Sequence, residues 1–214
     1  SLQSCSAGGG RVDLGMAQRV EQFWTSDNTD AFHRIRTQDT FAQFYPSNAM
    51  ECWVTDSPNH QTRRPARLET RFAVAMRGVL GIGSDLSTLE DDELNAYAGH
   101  IAFYKSIRPL VQQQSPHILC RPEENNVSAW WYVEPNGKEG FLSTVLTEHK
   151  PGHIIPRVRL PGLNPGATYR IRMPDGSELP PRSGTELADH GLFAADKPSA
   201  VLGPHPGAAR LLHF

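Results

Sequence analysis

The sequence has no apolar run approaching the roughly 20 residues that a helix needs to span a bilayer, and its mean hydropathy is −0.45. A membrane partner is therefore not expected. It has almost no net charge, −2 over 214 residues, which leaves no basic surface for nucleic acid. Cysteine is scarce. Cys5, Cys52 and Cys120 are odd in number and far apart, so a disulfide framework is not expected and a reducing cytoplasm fits better. The sequon Asn126-Val127-Ser128 then reads as a chance match. Nine histidines are present but do not fall at metal-ligand spacing. Pairs such as His149 and His153 lie in a Pro/Gly-rich stretch, and neither a metal nor another cofactor is expected. There is no initiator Met and no basic-then-apolar leader at Ser1-Leu2-Gln3-Ser4, so the chain is expected to be a fragment.

What is present changes character near residues 112–118. Before that point, short apolar segments alternate with helical patterns. Asp13 to about Gln22 reads as a helix, Phe23 to Ser26 as a strand, and a helix capped by Thr29 or Asp30 runs to about Tyr45. Met50–Val54 is a strand, Arg67–Arg77 a helix and Gly78–Gly83 a strand. Thr88 is expected to cap the next helix, whose first turn holds Asp91, Asp92 and Glu93. Its buried stripe is expected at Leu94, Tyr97, Ala98, Ile101 and Tyr104, with His100 at the surface or lightly packed and Pro109 as its end.

After that point β-rich runs dominate, at 129–133, 141–146, 158–160 and 169–172, with Pro135-Asn136-Gly137 as a hairpin turn. The expected fold class is α/β: half of a (β/α)8 barrel over residues 1–114, which the resemblance described below makes its second half, then a small antiparallel β-sandwich over 115–214. Four units leave a barrel unclosed, with open edges and an exposed core face.

Two features stand where a barrel keeps its chemistry. Asp27 follows an apolar strand segment and precedes a helix. Such an aspartate either caps the helix or points into the barrel mouth, where glycoside hydrolysis needs two carboxyl groups, one of them protonated. A dry neighbourhood beside Trp24 would favour the protonated acid. Cys5-Ser6-Ala7-Gly8-Gly9-Gly10-Arg11 is a small-residue turn, either a flexible connection or a place where backbone approaches a ligand closely. It lacks the Lys-Ser/Thr ending of a phosphate loop. Asp56 and Asp85, at later strand ends, read as capping or loop residues. Trp130-Trp131-Tyr132 reads either as a sugar-stacking platform or as one indole in the domain core with its neighbour packed on the barrel.

Four segments then carry a specific resemblance: Ser4–Gly15, Trp24–Ala31, Val54–Thr62 and Leu80–Leu86. In order and spacing they resemble signature segments of family 36 glycoside hydrolases, the bacterial α-galactosidases. Ser183–Leu187 and Gly191-Leu192 are similar to that family's C-terminal β domain. The resemblance implies a retaining double displacement on terminal α-linked galactose of melibiose- or raffinose-type oligosaccharides. It makes Asp27 the general acid/base and places Cys5, Ser6, Ala7 and Gly8 against the galactose ring. The family's nucleophile, an aspartate in a Lys-Trp-Asp segment, has no counterpart here, so the chain alone is expected to be inactive. Homo-oligomers are also implied for the full-length enzyme.

Gln3, Phe32, His33, Cys52 and Trp53 depart from the family pattern, Gln3 standing where Glu is usual, which leaves the natural substrate open. An α-N-acetylgalactosaminidase or a galactosyl-transferring relative is the alternative within the scaffold, decided at Cys5–Gly8. Outside enzymes, the alternative is a sugar-binding or structural module.

Overall fold

Four short strands, β1 (Gln3–Ser4), β2 (Gln22–Trp24), β3 (Met50–Val54) and β4 (Val79–Ile82), pair in parallel in chain order in the computed structural model. Each is followed by a helix: α1 (Leu14–Ala17), α2 (Ala31–Phe41), α3 (Leu68–Ala75) and α4 (Asp91–Gln113). The structure describes residues 2–148, 155–195 and 207–214, and His149 and His153 lie outside them. Parallel strands separated by helices form a layered wall because each helix covers the same sheet face. Phe23, Met50, Cys52 and Val54 point to that covered face and are buried with Ile35 of α2 and Phe72 of α3. The other face is bare. Trp53 keeps 42% of its surface exposed, and Leu2, just ahead of β1, keeps 68%.

The second part contains β5 (His117–Cys120), α5 (Pro122–Asn125), β6 (Val127–Val133), β7 (Gly140–Leu146), β8 (Arg157–Val158), β9 (Thr168–Arg172), β10 (Glu178–Ser183), α6 (Gly184–Asp189), β11 (Leu192–Phe193) and β12 (Ala209–His213). Six of these strands form one sheet in the order β10-β9-β12-β7-β6-β5, and β8 pairs with β11. The expected turn joins β6 to β7. Gly137 adopts φ +67° and donates its amide to the Glu134 carbonyl at 2.8 Å, a backbone shape that glycine adopts without a Cβ clash.

The period of two along β6 divides its side chains between two cores. Trp130 and Tyr132 join the core of the parallel wall, whereas Ala129 and Trp131 pack in the second core with Leu160 and Leu187. Both indoles are fully buried. Trp130 donates to Asp39 at 2.6 Å and Trp131 to the Pro161 carbonyl at 2.8 Å, so neither ring is available as a sugar platform. The divided reading of the pair is the observed one.

The joint between the parts is polar at its centre. Arg77, wholly buried, donates to Ser143 at 3.1 Å and Ser128 at 2.7 Å, and its guanidinium lies 5.3 Å from the Trp130 ring centre. Its carbonyl accepts from the Tyr132 hydroxyl at 2.7 Å. Burial pulls the Arg77 pKa down to about 10, which still leaves it charged at neutral pH.

Several local expectations need correction. The first helix is a single turn, Leu14–Ala17, capped by Asp13, and Leu14 is 73% exposed. With no buried stripe, nothing extends it. The second ends at Phe41 rather than Tyr45. Thr88 belongs to a separate short turn, and α4 starts at Asp91 behind Glu90. Pro109 does not end α4. Its ring is exposed, so the hydrogen bond it forgoes lies on the solvent side, while buried Ile107, Leu110 and Val111 hold the helix together. Ala98 is exposed, and the true stripe is Tyr97, His100, Phe103, Tyr104, Ile107, Leu110 and Val111. His100 is buried and stacks on Phe72 at 4.4 Å between ring centres, because α4 lies across α3 at that turn. Among the described residues no helix is long and apolar enough to cross a membrane.

Two outcomes follow from this packing. Trp130→Phe removes the donor that Asp39 has inside the joint, and equilibrium denaturation should register a loss of about 1–3 kcal/mol. The second concerns acid. Burial lowers the pKa of His100, whose Nδ1 has no hydrogen-bond partner, so the folded chain prefers the neutral ring. The unfolded chain then binds the extra proton, and stability present above pH about 6.5 is lost as pH falls through that value. His100→Phe should therefore reduce the drop in melting temperature between pH about 7.5 and 5.5. An unchanged drop would exonerate His100.

Candidate active site

The carboxyl ends of β1 to β4 open on one side of the wall, where barrel enzymes carry their chemistry. β1 and β2 are in register with Ser4 beside Phe23, so Cys5 stands level with Trp24 and the turn after β1 lies against the loop after β2. That turn is strained. Ser6, Ala7, Gly8 and Gly9 all have positive φ, at 20°, 50°, 71° and 96°, and the turn closes with the Gly10 amide donating to the Ser6 carbonyl at 2.9 Å. Successive positive values, two of them at residues bearing a Cβ, cost stability and are the kind of strain that gathers at functional sites.

Gly8 meets Asp27 with no room to spare. A Cβ built on Gly8 would come 2.6 Å from the Asp27 amide nitrogen and 3.0 Å from its carboxyl carbon. Gly9 is equally confined, its Cβ position lying 2.6 Å from the Thr25 carbonyl oxygen. The structure thus brings together the two features that the sequence singles out. Cys5 and Ala7 are exposed at this mouth, and Ser6 and Gly8 are half-buried.

Asp27 does not cap α2. Asp30 does so, accepting from the Phe32 amide at 2.8 Å and the His33 amide at 3.3 Å. The Asp27 carboxylate instead accepts from the Trp24 indole at 2.8 Å and remains exposed. The dry surroundings expected beside Trp24 are therefore absent, because that side of the mouth is the bare face of the sheet. Trp24 meets Trp53 edge-on at 4.8 Å, and the Trp53 indole donates to Glu51 at 3.2 Å.

The other strand-end acids have structural work. Asp56 accepts from the Asp85 amide at 3.1 Å, and Asp85 accepts from the Ser87 amide and hydroxyl at 3.0 and 2.6 Å, which holds its carboxyl below the usual range. Among the described residues no cluster of three or more His, Cys, Asp or Glu is placed to hold a metal ion.

Support beneath the mouth comes from side-chain bonds between the loops, which the sequence does not reveal. Thr29 accepts from Asn59 at 3.0 Å and from Thr55 at 3.1 Å, and Asp30 accepts from Thr62 at 2.5 Å, so the loop after β2 is laced to the loop after β3. Arg34 reaches up from α2 to the Ser26 carbonyl at 3.0 Å. The Asn59, Thr62 and Asp30 positions fall within the motif segments, but Arg34 lies outside them and carries no sequence signal beyond its charge.

Known proteins place this arrangement. A family model described as Melibiase matches residues 1–114, and one described as the glycosyl hydrolase family 36 C-terminal domain matches residues 127–214. The chain is 38% identical to α-galactosidase AgaA of Geobacillus stearothermophilus over 79% of its own length and 23% of that protein. It is also 38% identical to the probable α-galactosidase G of Emericella nidulans, over 89% of the chain and 26% of the relative. A crystal structure of an AgaA variant in complex with raffinose superposes with TM-score 0.86 at 32% identity, covering 99% of this chain and 28% of that one. The galactosidase domain of the α-galactosidase–sucrose kinase AgaSK superposes with TM-score 0.85 at 31% identity, with the same coverage. The chain spans about a quarter of the length of the relatives it matches. Its fold is the second half of a (β/α)8 barrel with an antiparallel β-sandwich behind it, and it belongs to the melibiase family of glycoside hydrolase family 36.

Proposed function

We propose that this chain supplies the acid/base half of a retaining α-galactosidase site, with Asp27 as the proton donor and Cys5, Ser6, Ala7 and Gly8 as the galactose-facing turn. The observation that carries the reading is the contact of Asp27 with Gly8. An exposed carboxylate, not spent on helix capping, is held against a strained turn at the strand ends. In the reaction Asp27 protonates the glycosidic oxygen as a nucleophilic carboxylate attacks the anomeric carbon, then takes a proton from the water that releases galactose. The two carboxyl groups would stand about 5–5.5 Å apart, as retention requires. The Lys-Trp-Asp segment that carries the family's nucleophile has no counterpart in this sequence. The bare face carrying Trp24, Glu51 and Trp53 is where the rest of a barrel would close over the mouth and exclude water.

Residues 1–114 are proposed as the barrel portion and 115–214 as the β domain. The substrate class is that of α-galactoside oligosaccharides, in line with the raffinose and stachyose complexes of AgaA variants. The three free thiols, one of them exposed, suit a cytoplasmic setting.

In the complete polypeptide, Asp27→Asn should slow hydrolysis of unactivated α-galactosides about 10²–10⁴-fold, while aryl galactosides with good leaving groups, which need little protonation, lose much less at the glycosylation step. Equal losses on both would remove the acid role. Gly8→Ala forces a Cβ onto Asp27 and strains a left-handed position by about 1–2 kcal/mol, so the variant should fold less stably and lose kcat. Wild-type rates from it would separate the turn from the site. The pure 214-residue chain should release no galactose from an aryl galactoside; measurable turnover would show that it already holds a working nucleophile.

A further inference from the structure

Arg34 is a buried arginine with no ion-pair partner among the described residues. It stands one turn inside α2 and is 2% exposed. Nη1 donates to the Ser26 carbonyl at 3.0 Å, Nη2 donates to the Glu51 carbonyl of β3, and the guanidinium carbon lies 5.2 Å from the Trp24 ring centre. Beneath it is the Cys52 thiol, which burial pushes up to about 11, so the neighbour is neutral. Among the described residues no carboxylate pairs with Arg34.

A charge held out of water by neutral partners costs stability that an apolar side chain of the same length would not. What the guanidinium adds is a rigid planar fork with donors in two directions and a face that stacks on an aromatic ring. Two of its contacts end one step from the same carboxylate, that of Asp27. Ser26 is the residue immediately before Asp27, and Trp24 provides the indole donor that holds the Asp27 carboxylate at 2.8 Å. Glu51 belongs to the neighbouring strand, so the fork references both to β3. Gly8 closes on Asp27 from the other side.

We infer that Arg34 is the positioning residue for Asp27, fixing the loop backbone and the indole donor together so that the carboxyl points into the mouth. This rests on the reading of Asp27 as the acid/base. Arg34 itself touches no substrate.

The test uses the complete polypeptide carrying Arg34→Met, which keeps the stem and removes the fork, and Arg34→Lys, which keeps the charge but cannot span both carbonyls. Displacement of a catalytic group by an ångström costs up to about 10²-fold, so Arg34→Met should lower kcat on an unactivated α-galactoside by about that factor, with KM within about threefold and activated aryl galactosides slowed less than about tenfold. Arg34→Lys should fall between, and is the variant read should Arg34→Met fail to fold. In an Asp27→Asn background either substitution should add little, because the group it positions is already disabled. Equal losses on both substrates, or losses fully additive with Asp27→Asn, would overturn the assignment and leave Arg34 a packing residue. An absent leaving-group split in Asp27→Asn alone would instead sink the acid/base reading, independently of Arg34.

Discussion

A guanidinium that never meets water holds the two parts of this chain together. Arg77 sits just ahead of β4, at the amino end of the parallel wall; its Nε donates to Ser143 and its Nη1 to Ser128 of the antiparallel sheet, while Nη2 is buried without a hydrogen-bond partner. Removing such a charge from solvent is expensive, and it is compensated only if its partners are placed accurately. The partners here are short hydroxyls on β6 and β7, flanked by the Trp130 ring and the Tyr132 hydroxyl, and Asp39 receives the Trp130 indole. Burial raises the Asp39 pKa, while Arg77 acts in the opposite direction. These contacts tie the antiparallel sheet to the wall, beneath which it forms a floor.

That floor lies at the opposite end of the strands from the strained turn and Asp27. A barrel divides its duties this way, with stability at the amino ends and function at the carboxyl ends. The chain repeats the device at both ends: Arg77 anchors the base, and Arg34 references the mouth. Between them, the outward-facing residues of β2 and β3 are buried under α2 and α3, and the inward-facing ones stand open. The strained turn at Ser6–Gly9 is tolerable because its neighbours hold it from two sides, through the Gly10 amide and the Thr25–Asp27 backbone. The strain thus sits at a strand end, next to a carboxylate that helix capping leaves free.

Much of the element pattern was legible from local chemistry. The strand over Met50–Val54 falls on its expected bounds because β-branched and apolar residues there end at Thr55-Asp56-Ser57-Pro58. The Pro135-Asn136-Gly137 turn was legible from its residue types, although Asn164 and Tyr169 also hold its carbonyls. The failures share a cause. His100, Pro109 and the shortened α1 were misread because their fate depends on what lies across from them. Phe72 covers the first, solvent faces the second, and the third is covered only in part, at Met16 and Ala17.

The sequence by itself determined the order of strands and helices, the change of texture near residues 112–118, and the residue types at the strand ends. Periodicity and turn chemistry act over a few residues, so they can be read without coordinates. Only the tertiary structure decided that of the candidates Asp27, Thr29 and Asp30 it is Asp30 that caps α2, that Gly8 touches Asp27, and which core each of Trp130 and Trp131 serves. It also decided where two buried arginines find their partners. Those partners are up to 66 residues apart in the chain, and a buried charge selects its donors and acceptors by position in space, which no local pattern encodes.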